Sequence, residues 1–212
     1  KSSLVTLSDK SENLFENMCK VIDKYMSKDI LGIAVSGTGQ IDGSIGKVIG
    51  GNPIIPGWIG TNLVERLEKK YSLPAVLEND VNCAALGEKW LGAGKGADGF
   101  VCLTIGTGIG GGIVLNGDIF RGDTCVAGEF GHIQIEKDGE QCLCGKKGCY
   151  ERYASATALV RMVKEKTGKE LNGKEIFELE KSGNQDVKEV VDRWIDYFTD
   201  GLSTIVYIFN PS

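Results

Sequence analysis

One histidine and three cysteines lie close together in the sequence and could bind a metal ion. His132 is followed by Cys142 and Cys144, and Cys149 completes the set within 18 residues. Three thiolates and one imidazole form the soft, tetrahedral ligand set that Zn²⁺ takes in closed structural sites. Interspersed glycines let the chain turn tightly around an ion. The pattern therefore predicts one structural Zn²⁺ bound by these four side chains.

Two other interpretations of these cysteines are weaker. Free cysteine is often a small core residue, but Asp138, Glu140 and neighbouring lysines make this segment too polar for a core. A Cys-x-Cys disulfide would be strained, and seven cysteines without a secretion signal indicate a reducing compartment. The other cysteines stand singly in apolar surroundings and are predicted to be packing residues: Cys19, Cys83, Cys102 and Cys125.

A polar stretch at the end of a predicted strand could supply a general base. Asn79 and Asp80 lie between a strand predicted at 75–77 and a helix predicted at 81–91. Asn and Asp are favoured at helix N-termini, so helix capping is one interpretation. An ionised aspartate there could instead accept the proton of a hydroxyl that attacks a phosphate. The sequence leaves both interpretations open.

A glycine-rich run, residues 106–112, follows a strand predicted at 100–105. Backbone N–H groups can approach phosphate oxygens where no Cβ intervenes, and the hydroxyl of Thr107 adds a donor. The run lacks the Gly-Lys-Ser/Thr ending of a Walker motif, and a strand predicted at 113–115 follows it where that motif has a helix. A bulged hairpin would have a similar composition. The run therefore indicates either a phosphate loop or a glycine-rich hairpin.

Two carboxylates bracket the predicted metal loop. Glu129 precedes His132, and Glu151 follows Cys149. Held beside a rigid metal site, these groups could accept hydrogen bonds from the hydroxyls of a polyol. Glu151 could equally begin a helix, where the helix dipole favours a negative charge.

The 212-residue chain has the composition of a globular protein, with 42% hydrophobic and 25% charged residues. Its net charge of −5 gives no electrostatic basis for binding nucleic acid. It contains no apolar run of the ~20 residues that span a bilayer and no leader, so we expect a cytoplasmic protein. The order of predicted strands and helices indicates an α/β fold. A Gly-Ala-Lys linker predicts two domains, 1–94 and 95–212.

Taken together, these segments resemble the ROK (repressor, ORF, kinase) family of sugar kinases and sugar-responsive repressors. The stretch Glu78-Asn79-Asp80-x-Asn82 resembles its catalytic segment, and Gly106-Thr107-Gly108-x-Gly110 resembles its phosphate loop. The most specific match is Glu129-x-Gly131-His132 followed by Cys142-x-Cys144-Gly145-x-x-Gly148-Cys149-x-Glu151. The resemblance runs from about Ile30 to the C-terminus.

The resemblance implies an ATP-dependent sugar kinase with an actin-like, ribonuclease-H-like two-lobed fold. Asp80 would be the catalytic base, and His132 would contact zinc and sugar through opposite ring nitrogens. The implied sugar ligands are Asn52, Asn79, Asp80, Glu129, His132 and Glu151. The implied contacts to the ATP phosphates are Gly106, Thr107, Gly108 and Gly110.

Two motifs of the family do not occur in this sequence. The Asp-x-Gly-Gly-Thr phosphate motif would precede Lys1, and a glycine-rich adenosine segment would follow Pro211. We therefore expect a part of a longer protein, with both ends of the family fold missing. The ATP and Mg²⁺ sites would be complete only in the intact protein, and this part alone is expected to be inactive.

The resemblance leaves the sugar open between a hexose and an N-acetylhexosamine. Glucose is the first candidate. N-acetylmannosamine is the second, because the turn at residues 36–39 is similar to that branch of the family. The alternative function is the sugar-sensing domain of a ROK repressor, although a sensor does not need a base such as Asp80. Family members are usually dimers or tetramers, which implies a homo-oligomer.

Overall fold

The computed structural model describes residues 11–51 and 55–211. The chain is mixed α/β and divides into two units, Lys1–Cys83 with Gly122–Val126, and Ala84–Arg121 with Ala127–Ser212. Helix α3 (Asp80–Leu91) contains the division. None of the helices in the described ranges is both long enough and apolar enough to cross a membrane.

The first unit contains two small sheets and two helices. Its elements are α1 (Ser11–Asp23), β1 (Ile33–Gly37), β2 (Gln40–Asp42), β3 (Lys47–Gly50), α2 (Leu63–Tyr71) and β4 (Ala75–Asn79). Strands β1 and β4 are parallel, and β2 and β3 are antiparallel. Leu63 and Leu67, one turn apart on α2, are fully buried against Val48 and Trp58. This apolar stripe holds α2 against the strands, including Ala75 and Leu77 of β4.

The second unit begins with a three-stranded antiparallel meander. Its strands are β5 (Phe100–Ile105), β6 (Ile109–Leu115) and β7 (Asp118–Ile119). The register runs from Phe100 opposite Val114 to Ile105 opposite Ile109. Asn116 and Gly117 join β6 to β7 with positive φ values of 52° and 81°, as a two-residue Asn-Gly hairpin turn requires.

Helices complete the second unit. They are α4 (Glu151–Ala154), α5 (Ala156–Thr167), α6 (Gly173–Lys181) and α7 (Gln185–Phe209), preceded by a 3₁₀ turn at Phe130–His132. Val163, Ile176 and Val187 are almost completely buried where α5, α6 and α7 meet. The hydroxyl of Tyr150 donates to the Phe198 carbonyl at 2.7 Å. The segment before α4 is thereby held on α7.

The two units separate within α3, after Cys83, and not at the linker near residue 95 that the sequence indicated. Ala85 is fully buried and packs with Val114 and Ile119 of the meander. The later turns of α3 therefore belong to the second unit. A helix that changes packing partner along its length shows no change of composition, so the sequence does not reveal this division.

Candidate active site and metal centre

Asn79 is the last residue of β4 and lies opposite Gly37 of β1. Its Oδ1 accepts hydrogen bonds from the backbone N–H groups of Val81, at 2.8 Å, and Asn82, at 3.1 Å. Its Nδ2 donates to the Gly39 carbonyl at 3.0 Å. Asn79 therefore caps α3 and ties the turn after β1 to the start of that helix.

Asp80 is the first residue of α3 and is exposed. Its Oδ1 accepts a hydrogen bond from the Val81 N–H at 3.0 Å. It forms no ion pair within the described part of the chain. Because Asn79 supplies the cap to the first turn, the second carboxylate oxygen of Asp80 is not required by the helix. The arrangement leaves a carboxylate that could accept a proton from a bound hydroxyl.

The glycine-rich run forms a tighter structure than the sequence indicated. Only residues 106–108 are loop, because Gly110 and the two glycines after it lie within β6 and pair with β5. Thr107 is exposed at the tip, the Gly106 N–H donates to the Gly108 carbonyl, and the Gly106 carbonyl accepts from the Ala156 N–H, both at 3.0 Å. The loop is therefore shorter than the predicted run to residue 112, because the strand predicted at 113–115 begins at Ile109. The contact of residues 106–110 with phosphate stays a prediction.

Packing explains several of these glycines. A Cβ at Gly111 would lie 2.1 Å from the Phe130 ring, and one at Gly131 would lie 2.2 Å from the Ile109 carbonyl oxygen. A Cβ at Gly108 would lie 2.5 Å from Oε2 of Glu151. The absence of side chains lets the 3₁₀ turn and the start of α4 approach the hairpin closely. His132 ends the 3₁₀ turn, and Gln134 after it forms an isolated β-bridge with Cys149.

The four predicted metal ligands converge. One ligand atom from each of His132, Cys142, Cys144 and Cys149 lies within 4.8 Å of the others. The distance from His132 Nδ1 to Cys142 Sγ is 3.7 Å, and that from Cys144 Sγ to Cys149 Sγ is 3.5 Å. Tetrahedral Zn²⁺ with usual bond lengths places such pairs about 3.5 Å (N and S) and about 3.8 Å (two S) apart. The donor set and its spacing therefore fit zinc.

Backbone hydrogen bonds fold the cysteine loop. The Gly148 carbonyl accepts from the N–H groups of Ile135, at 2.9 Å, and Glu136, at 3.2 Å. The Cys142 N–H donates to the Lys146 carbonyl at 2.8 Å, which closes the turn that carries Cys144. These bonds bring the segments that carry Cys142, Cys144 and Cys149 together.

The three thiols have different electrostatic environments. Burial raises the pKa of Cys149 to about 12, and burial also raises the pKa of Cys142. Burial acts in the same direction on Cys144, but hydrogen bonds from the Lys146 backbone and from the other thiols lower its pKa overall. Cysteine binds metal as the thiolate, so zinc binding at this loop releases protons.

The two carboxylates and the histidine predicted to bind sugar lie together within the second unit. Glu151 Oε1 accepts from the Cys142 thiol at 3.3 Å and lies 3.8 Å from His132 Nδ1. Glu129 Oε2 lies 3.7 Å from the other ring nitrogen, Nε2. His132 therefore presents Nδ1 to the thiols and Nε2 to a half-exposed carboxylate. This is the orientation expected if one imidazole serves a metal on one side and a polar ligand on the other.

The predicted site residues thus fall into two groups. Asn79 and Asp80 lie together at the start of α3 in the first unit, and Glu129, His132 and Glu151 surround the metal loop in the second. Asn52 lies outside the described residues.

Sequence reasoning missed Tyr153 on α4. Its hydroxyl accepts a hydrogen bond from the Glu140 N–H at 2.6 Å, which ties the cysteine loop to that helix. Arg161 of α5 adds an ion pair with the Glu140 carboxylate at 3.4 Å. A tyrosine in a helical stretch is usually a packing residue, so no sequence signal distinguished it.

Comparison with known proteins gives the chain its family. The ROK family model matches residues 4–212. The chain belongs to the ROK family. Consistent with this, a candidate N-acetylmannosamine kinase from Listeria monocytogenes superposes with a TM-score of 0.88 at 36% identity, over 100% of this chain and 72% of that one. A ROK family glucokinase from Streptomyces griseus was solved with glucose and AMPPNP. It superposes with a TM-score of 0.85 at 32% identity, over 98% of this chain and 72% of that one. The actin-like fold implied by the resemblance is confirmed.

Curated ROK proteins of both functional kinds are similar to this chain. The β-glucoside kinase of L. monocytogenes is 39% identical over 100% of this chain and 71% of its own length. The xylose repressor of Bacillus subtilis is 34% identical over 86% of this chain and 46% of its own length. The chain also spans only 61% of the length of a glucokinase from Thermotoga maritima. Similarity to these relatives therefore does not by itself determine the activity of the whole protein.

Proposed function

We propose that the intact protein is an ATP-dependent kinase that phosphorylates a hydroxyl of a hexose or N-acetylhexosamine. Glucose is the first candidate substrate, since the S. griseus relative was solved with it, and N-acetylmannosamine is the second. The observation that carries the proposal is the exposed carboxylate of Asp80, which the capping bonds of Asn79 leave available. We also propose a cytoplasmic homo-oligomer.

The proposed reaction assigns three tasks to the site residues: proton transfer, sugar binding and phosphate contact. Asp80 accepts the proton of the sugar hydroxyl as that oxygen attacks the γ-phosphorus, and ADP leaves. Asn79, Glu129, His132 and Glu151 are proposed to hydrogen-bond other hydroxyls of the sugar, as is Asn52. Thr107 and the adjacent glycines are proposed to contact the ATP phosphates. Mg²⁺, when bound in the intact protein, neutralises phosphate charge.

Zinc is proposed as a structural ion held by His132 and the three cysteines. Its role would be to fix the loop from which Glu151 and His132 project. The reducing conditions of the cytoplasm would keep the thiolates available to it.

The second candidate function is sugar sensing in a repressor, which similarity to the xylose repressor favours. The two functions differ in whether sugar is consumed. A sensor binds sugar without ATP turnover, and its parent gene would encode a DNA-binding domain upstream.

The test is sugar phosphorylation by the full-length protein and its Asp80→Asn variant. Removal of a general base should lower kcat by ~10²–10⁴-fold, while sugar affinity measured by calorimetry changes little. Asp118→Asn, an exposed aspartate on β7, is the matched control and should keep full activity. If Asp80→Asn retains wild-type turnover, Asp80 is not the base. Sugar binding without any ADP production would favour the sensor.

A further inference from the structure

A ring of hydrogen bonds surrounds the start of α3. Glu78 Oε1 accepts from the Asn79 N–H at 2.8 Å and from Nδ2 of Asn82 at 3.0 Å. Asn82 is in the first turn of α3 and is only 8% exposed. The ring therefore joins the end of β4 to the first helical turn, and Asp80 lies between its members in the sequence.

The helix does not need this ring in order to begin. Asn79 already accepts from the N–H groups of Val81 and Asn82. A buried amide such as that of Asn82 must be hydrogen-bonded, whereas an apolar side chain of similar volume would fill the space without a partner. What the Glu78–Asn82 pair adds is orientation, because it fixes residues on both sides of Asp80 to a single oxygen atom.

We propose that Glu78 and Asn82 are positioning residues that hold the Asp80 carboxylate in the direction required for proton transfer. The inference rests on the proposed kinase function. It assigns Glu78 an orienting role, because its Oε1 accepts from donors on both sides of Asp80 in the sequence. Displacement of a catalytic group by about 1 Å can cost ~10²-fold in rate, so a loosened ring would act on kcat.

The first arm of the test breaks the ring and measures steady-state kinetics of the full-length protein. Asn82→Leu keeps the branched shape of the side chain and removes the donor. We expect kcat to fall by about 10- to 100-fold, with the KM for sugar within about threefold of wild type. Ala85→Gly weakens the same helix without touching the ring and should retain wild-type kcat. Unchanged kcat in Asn82→Leu would overturn the proposal.

The second arm separates position from charge. Glu78→Gln keeps an acceptor oxygen for both donors, so kcat should stay within about threefold of wild type, whereas Glu78→Ala should resemble Asn82→Leu. If Glu78→Gln is as slow as Glu78→Ala and shifts the pH profile of kcat, the charge of Glu78 acts directly and the positioning role is wrong.

The third arm does not depend on turnover. Hydrogen exchange of a peptide covering residues 78–82 should be faster in Asn82→Leu than in wild type or Ala85→Gly, because the ring no longer holds this segment. Equal exchange in Asn82→Leu and wild type would overturn the proposal even if no sugar is phosphorylated. Failure of wild type to phosphorylate any sugar would instead count against the proposed function.

Discussion

Replacing Cys144 by serine tests the zinc centre most cleanly. Cys144 is exposed, whereas Cys142 and Cys149 are buried. The substitution Cys144→Ser therefore removes one proposed ligand with little loss of packing. Any large effect on stability must then come from the metal and not from a cavity.

The expected loss of stability in Cys144→Ser follows from the binding energy of zinc. Structural zinc sites contribute ~10–16 kcal/mol, so one ligand in four accounts for about 3 kcal/mol. Loss of a supporting group around a metal costs ~10–100-fold in affinity, and loss of a ligand should reach at least the upper value, about 2.7 kcal/mol. At ~2–4 °C per kcal/mol for a chain of this size, Tm should fall by about 6–12 °C.

The assay combines elemental analysis with thermal unfolding. Wild-type protein passed through metal-free buffer should retain about one Zn²⁺ per chain, and Cys144→Ser should retain much less. Cys102→Ser, on β5 of the same unit, is the control and should keep its zinc, since Cys102 is outside the ligand cluster. Wild-type protein without zinc, or Cys144→Ser with a full zinc complement, would refute the reasoning.

Two further predictions concern the support of the cysteine loop. Tyr153→Phe removes the acceptor of the Glu140 N–H and should lower the free energy of unfolding, measured in urea, by about 1–2 kcal/mol. The control Tyr197→Phe loses only an exposed hydrogen bond and should change this free energy by less than about 0.5 kcal/mol. Equal effects of the two substitutions would contradict the prediction. Gly148→Ala should cost about 3 kcal/mol or more, because φ is +74° and the new Cβ would lie 1.5 Å from a carbonyl oxygen. Gly145→Ala, at φ +89° with nothing within 4 Å, should cost only about 1–2 kcal/mol in the same titration.

Features that depend on local chemistry were predictable from the sequence. The Cys and His spacing identified four side chains whose ligand atoms do converge. The apolar run at 100–105 gave the bounds of β5. Asn116-Gly117, which joins β6 to β7, is a residue pair strongly favoured in two-residue hairpin turns. In these cases the determining contacts lie between neighbours in the chain, so the pattern contains the information.

Features that depend on distant contacts were not predictable. Asn79 and Asp80 are equally good capping residues by type, and only the bonds to Gly39 and to the first turn of α3 show which of them is the cap. The first part of β6, residues 109–112, was not predicted as strand because glycine has a low strand propensity. Of its glycines, Gly111 is required by the close approach of Phe130, which is distant in sequence.

The same packing argument indicates which residues of the glycine-rich run are the best candidates for contact with the ATP phosphates. A Cβ at position 108 would lie 2.5 Å from Oε2 of Glu151, so that side chain would have to shift, and Gly110 lies in a strand whose backbone pairs with Thr104. Gly106 is different, because a Cβ at this position would meet nothing within 4 Å. Packing therefore gives no reason for glycine at 106, and the adjacent Thr107 is exposed at the tip of the hairpin. A glycine at a position where a side chain would fit allows a ligand to approach the backbone closely. We therefore expect the phosphate contact at Gly106 and Thr107 before any other part of the run.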